Sequence, residues 1–202
     1  MLRVGQTGSI GVGKSFVSGV LAELGCHVLD ADETAREVVS PHSPALQDVI
    51  AEFGVEILQG DGTLDRSKLG ALVFADAERR ATLNSILHPY IIAQQNERLH
   101  DWEVEDPNGI AVIDAALMIE SGGYKRFDKL IVVHCRDDIQ LQRVIVRNNL
   151  SRYEAQKRIA AQMPQEEKKK FADYLIDTSD GFDAARKGAG EVYGELREAV
   201  KM

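Results

Sequence analysis

The stretch Gly8-Ser9-Ile10-Gly11-Val12-Gly13-Lys14-Ser15 decides how this chain folds. It reads G-x-x-x-x-G-K-[ST]. An apolar-leaning run, Leu2 to Thr7, precedes it, and a helical pattern from Lys14 to Leu24 follows, stopped by Gly25. Glycines at these positions let the backbone curl so that successive N–H groups turn inward and cradle phosphate oxygens. Lys14 brings a positive charge to the terminal phosphates, and the Ser15 hydroxyl suits Mg²⁺. The opening helix adds the positive end of its dipole. Residues 8–15, with the backbone N–H of Phe16, are therefore predicted to hold a nucleotide's phosphates.

The rest of the composition sharpens that reading. At 202 residues and 44% hydrophobic, the chain can bury one substantial core with a small appended subdomain. Its formal net charge is −8, which argues against a nonspecific nucleic-acid binder. An acidic protein that takes a polyphosphate must gather its useful cations in one cleft. Cys26 and Cys135 form no C-x-x-C and read as free thiols. The five histidines show no metal-ligand spacing. No apolar run reaches transmembrane length and no secretory pattern opens the chain, so a cytoplasmic protein without a membrane partner is expected.

Strand-like runs at Val4–Thr7, His27–Asp30, Ile110–Asp114, Leu130–His134 and Tyr174–Asp177 alternate with helical ones. With a helix expected between each pair, that alternation predicts an α/β fold: a five-stranded parallel sheet flanked by helices, its ligands at the carboxyl ends of the strands. The core is assigned to residues of about 1–32, 108–136 and 172–202. Residues of about 33–107 read almost wholly as helices and as an acceptor-binding insertion. They hold a helix capped by Ser43 with Pro44 first, another over Asp65–Phe74, and a long one over Asp76–Trp102 interrupted at Pro89. A charged hairpin, Asp137–Arg147 and Ser151–Met163, has a capping box at Ser151 and Glu154; it places a mobile lid at about 137–171. Lys168 to Lys170 reads as a solvated charge run.

Several side chains then fall at the sheet's carboxyl edge. Asp30 and Asp32 follow the second strand. A hydroxyl that attacks a phosphoryl group needs a carboxylate to orient it and take its proton, and Asp32 fits that role or that of a helix N-cap. Asp30 fits an orienting or metal-linked neighbour. Arg36, one turn on, either holds an acceptor phosphate or pairs with Asp32. Asp114 closes a strand where a carboxylate can face hydrated Mg²⁺, or is an ordinary strand end. Arg143 and Arg147 share a helix face, with Arg158 on the next helix; they either neutralise a phosphoryl transition state or form a solvated face. His88, before Pro89, is a packed or capping histidine or an acceptor contact.

Taken together, these pieces resemble the dephospho-CoA kinases from Met1 to about Phe182. The resemblance rests on residues 7–15, on Asp30-Ala31-Asp32 with Ala35 to Val39, and on Leu87-His88-Pro89. It extends through Val112 to Asp114 with Leu117 and Glu120, to Gln142, Arg143, Arg147, Arg158, Ile159 and Gln162, and to Ala172 to Asp177. It implies a P-loop kinase fold with a helical CoA domain and a lid. It also implies transfer of the ATP γ-phosphate to the ribose 3′-hydroxyl of dephospho-CoA, with Asp32 as base and the loop and lid arginines on ATP. Phe16, Ala116, Asn148 and Thr178 depart from the family pattern. The rivals are another small-molecule kinase of the same fold, for nucleotides or shikimate, and a GTP-dependent switch protein. The switch class needs an Asn-Lys-x-Asp guanine reader, which this chain lacks.

Overall fold

The protein's structure, a computed structural model, describes residues 1–74 and 76–201. β1 (Leu2–Thr7), β2 (His27–Asp30), β3 (Ile110–Asp114), β4 (Lys129–His134) and β5 (Tyr174–Asp177) pair in parallel, in the order β2-β3-β1-β4-β5. β3 is buried along its whole length, as expected of a parallel strand covered on both faces. The chain crosses from β1 past β3 to β2, fills the gap with β3, then continues on the far side of β1. The order therefore reverses around β1, and an open α/β sheet presents its ligand crevice at such a reversal. In register, Gln6 lies opposite Asp114, and Asp114 opposite Asp30, so three polar residues line one sheet edge.

Two compact units result: Met1–Asp30 with Trp102–Met202, and Ala31–Asp101. In the first, α1 (Lys14–Glu23) and α9 (Phe182–Val200) cover the sheet. Val17, Val20 and Leu21 from α1 and Ala189, Val192 and Leu196 from α9 share a core with Val4, Ile110, Val112, Ile131 and Ile176. Cys26 sits in this core, where burial pushes its thiol up to about 12 and leaves it inert. The indole of Trp102 stacks on His27 with ring centroids 5.1 Å apart, and His27 Nε2 lies 3.5 Å from Asp106.

The second unit packs α2 (Ala31–Glu37), α3 (Pro44–Phe53), α4 (Arg66–Phe74) and most of α5 (Ala77–Glu105) around Val38, Val39, Leu46, Val49 and Ile57. Ser43 caps α3, accepting from the Leu46 N–H, with Pro44 in the first turn as the sequence predicts. Three local expectations differ. α5 passes through Pro89 unbroken; Pro89 and Ser85 are both exposed, so the carbonyl that loses its partner can bond to water. β3 and β4 are joined by turns and one 3-10 turn (Gly123–Arg126) rather than a helix. After α6 (Asp137–Asn148), α7 (Arg152–Ala160) ends short of Met163, and α8 (Gln165–Lys169) follows.

α9 carries Gly190 and Gly194 in its interior, and a Cβ at either would meet no atom within 4 Å. Glycine there costs the helix backbone entropy for no packing reason. Gly190→Ala and Gly194→Ala are each expected to raise stability by about 0.5–1 kcal/mol, read as a higher urea midpoint. A lower midpoint for both would contradict a continuous α9.

Candidate active site

The loop after β1 is shaped by close backbone approach. A Cβ on Gly8 would lie 2.4 Å from the Val133 carbonyl oxygen, so no larger residue lets the chain leave β1 against β4. Gly13 has φ 92° at the start of α1, and its missing Cβ faces Thr178 and, at 3.6 Å, Arg143 Nη1. Ser15 is exposed on the first turn of α1. Ser9 is buried. The Ile10 N–H is bound within the protein by Gln162 Oε1 at 2.8 Å.

Asp114 ends β3 almost wholly out of water, its side chain 3% exposed, and Lys14 Nζ reaches its Oδ1 at 2.6 Å. The Ser18 hydroxyl, one turn along α1, donates to the other oxygen at 2.8 Å and accepts from Gln6 Nε2 at 2.6 Å. A carboxylate buried like this is tolerable only with a cation and further donors; removing one partner of such a pair costs about 3–5 kcal/mol. Ser18 and Gln6 escape a sequence reading because neither lies in a motif. A polar residue inside the β1 run, and a serine at i+4 from the lysine, were the available signals.

Arg143 is fixed over the loop. Its Nη1 donates to Thr178 Oγ1 at 2.9 Å and its Nη2 to the Thr178 carbonyl at 2.8 Å, while the Thr178 hydroxyl donates to the Val12 carbonyl at 2.6 Å. Thr178 thus joins the phosphate loop, the β5–α9 turn and an arginine. The turn itself is set by Asp177, which accepts from the Ser179 N–H at 2.8 Å and from its hydroxyl. Partial burial raises the Asp177 carboxyl, and these two bonds, with the nearby His134 and Arg136, together hold it below its usual range. Arg147 and Arg158 are exposed, on α6 and α7. The capping box is present at Ser151 and Glu154.

The charge run overturns its reading. Lys169 and Lys170 pair with Glu166 and Glu167 on α8, but Lys168 is fully buried, its Nζ 2.9 Å from the Glu120 carboxylate and 2.7 Å from the Ala116 carbonyl. Desolvation pulls its ammonium below the ordinary lysine range, and Glu120 pulls it back up. The three lysines look alike in sequence, and only the turn of a short helix separates the buried one from its neighbours.

Asp30 is exposed at the end of β2. Asp32, Arg36 and His88 belong to the helical unit. α2 starts at Ala31, so Asp32 stands inside its first turn beside Glu33, where negative charge suits the dipole, rather than at the cap. The Arg36 carbonyl accepts from Arg66 Nη2 at 3.3 Å. His88 is exposed on α5.

Among the described residues no three His, Cys, Asp or Glu cluster as a metal cage. Two oxygen groups beside the loop are hard donors of the kind Mg²⁺ takes, an ion that needs few protein groups and completes its shell with phosphates and water: the exposed Ser15 hydroxyl, and Asp114, whose two oxygens Lys14 and Ser18 hold in this structure.

Thr178→Val keeps the shape but orphans the Val12 carbonyl and one arginine N–H, at a cost of about 1–3 kcal/mol. Thr178→Ser, which loses only a methyl, should cost about 0.8 kcal/mol. Urea unfolding of both variants checks the order; equal losses would show that the hydroxyl carries nothing.

Comparison with known proteins gives this geometry a family. The dephospho-CoA kinase family profile matches residues 2–183. A Geobacillus kaustophilus dephospho-CoA kinase is 44% identical over 188 residues, covering 92% of each chain. One from Carboxydothermus hydrogenoformans is 42% identical over 184 residues, covering 91% of this chain and 89% of the relative. A Thermus thermophilus crystal structure superposes with a TM-score of 0.82 at 32% identity, covering 96% of this chain and 97% of its own. With a phosphate loop, its paired lysine and a five-stranded parallel sheet in the same molecule, the chain belongs to the dephospho-CoA kinase family.

Proposed function

We propose that this protein transfers the γ-phosphate of ATP to the ribose 3′-hydroxyl of dephospho-CoA, giving coenzyme A and ADP. The observation that carries the reading is Lys14, held by Asp114 at the mouth of a glycine loop, in a chain that matches the family from residue 2 to 183. The N–H groups of the loop, apart from that of Ile10, which Gln162 holds, bind the β- and γ-phosphates, and Lys14 neutralises charge on the transferred group. Ser15 and Asp114 are the residues that would hold Mg²⁺, which when bound screens the phosphate oxygens. Arg143 and Arg147 spread guanidinium charge over the loose transition state, and Arg158 joins them from α7.

On the acceptor side, Asp32 orients the 3′-hydroxyl and takes its proton, with Asp30, Arg36 and His88 as substrate contacts. Residues of about 33–107 form the acceptor-binding insertion, and about 137–171 the lid. That Asp30 and Asp114 share a register position at the sheet edge supports placing acceptor and phosphate chemistry together. No described helix is long and apolar enough to cross a membrane. Buried free thiols at Cys26 and Cys135 support work in the reducing cytoplasm.

ADP release with ATP, Mg²⁺ and a panel of acceptors tests the reading. Dephospho-CoA should turn over fastest; AMP, adenosine or shikimate equal to it would overturn the assignment. Lys14→Ala should lower turnover by at least ~100-fold, and should also melt earlier because Asp114 loses its cation. Wild-type rates in folded Lys14→Ala would refute the site.

Asp32→Asn separates catalysis from structure. It should keep a melting temperature near wild type and retained ATP binding, yet lose ~10²–10⁴ in kcat. Full turnover at saturating substrates would move the base role to Asp30. Arg143→Lys and Arg147→Lys should each lower kcat more than stability, since lysine cannot reproduce the forked contact.

A further inference from the structure

The middle of the phosphate loop is held from outside by side chains. Ile10 gives its N–H to Gln162 Oε1 and its carbonyl to Gln140 Nε2, each at 2.8 Å. Ser9 Oγ donates to the Met163 carbonyl at 3.3 Å. Gln140 is itself fixed: its Oε1 accepts from Gln165 Nε2 at 3.0 Å, and Gln165 Oε1 accepts from the Cys135 N–H at 3.0 Å. One short link, residues 161–164 between α7 and α8, therefore grips the loop.

The same link grips the segment that follows Asp114. The Met163 N–H donates to Glu120 Oε1 at 3.1 Å, and the Glu120 carboxylate pairs with buried Lys168. Lys168 also donates to the Ala116 carbonyl, which takes the Thr7 hydroxyl as well at 3.1 Å. Thr7 ends β1 just before the loop, and Ala116 comes two residues after Asp114. A closed circuit of bonds thus runs from the loop through Gln162, Met163, Glu120, Lys168 and Ala116 back to the loop's root.

Stability alone does not account for a fully buried lysine set against a partly exposed carboxylate, since an apolar side chain of the same volume commonly holds a fold as well. What an apolar pair lacks is the ability to bond the Ala116 carbonyl and the Met163 N–H together. We propose that Gln162 and Lys168 are positioning residues for phosphoryl transfer, Gln162 fixing the crest of the phosphate loop and Lys168 fixing the segment behind Asp114. The inference rests on the kinase reading of the loop. It makes the geometry of the cradle depend on where α7 ends, so that motion of the α6–α7 hairpin is felt by the phosphates.

Two variants test it. Gln162→Met keeps length and removes the acceptor. Lys168→Met alone would leave the Glu120 carboxylate without its cation, so it is paired with Glu120→Gln, whose carbonyl still accepts from Met163. Each is measured for kcat and KM with both substrates, for direct ADP binding, and for thermal midpoint. For both, ADP binding and kcat/KM for ATP should fall about tenfold or more, with the KM for the acceptor little changed, as expected when loop geometry is lost. For Gln162→Met this should come with a midpoint close to wild type. Unchanged ADP affinity and kcat in folded protein, with only a lower midpoint, would overturn the proposal and leave a purely structural brace. Should the double variant fail to fold, Gln162→Met decides alone. If wild type phosphorylates no acceptor, the kinase reading fails, while ADP binding still reports on the strap.

Discussion

A carboxylate almost wholly withdrawn from water must be met by a cation, and here that cation is Lys14. β3 is buried along its length, so the strand tolerates charge only at its carboxyl end, and Asp114 occupies it. The pair fixes the lysine against the end of β3, with Ser18 and Gln6 completing the set from α1 and β1. Much of the site's order follows. α1 begins at Lys14, and Gly13 before it stands in a left-handed turn that favours glycine, with Thr178 and Arg143 lining the space beside it. The lysine is thus placed and partly desolvated before any ligand is bound, so an anion that met it would find little reorganisation left to do.

Around that pair the protein uses neutral amides and one buried lysine where a flexible loop would otherwise have been free. Glycine gives the loop its curvature and also its conformational entropy. Gln140, Gln162 and Thr178 remove that freedom by bonding to Ile10 and Val12 from three directions. None of them brings a formal charge to the loop.

The sheet, its strand positions and the phosphate loop were legible in the sequence because each rests on a local pattern: short β-branched runs, a glycine spacing, Ser43-Pro44 and Ser151 with Glu154 at helix starts. What was not legible depends on contacts far apart in the chain. Lys168 looked like its neighbours, yet its partner Glu120 is 48 residues away. Gln6 and Ser18 matter only once Asp114 is folded beside them. Pro89 predicted a break that an exposed helix face did not require. Between β3 and β4 the alternation predicted a helix, and the chain instead crosses to the far side of β1 through turns and one 3-10 turn.

The stacking of Trp102 on His27 has a practical side. Trp102 is the chain's single tryptophan, so its indole emission arises from one place, the last turn of α5 beside β2. An indole in ring contact with an imidazole changes its emission when that contact is lost, so the protein carries a built-in lamp at the start of one strand, and it reads the seating of β2 against the last turn of α5.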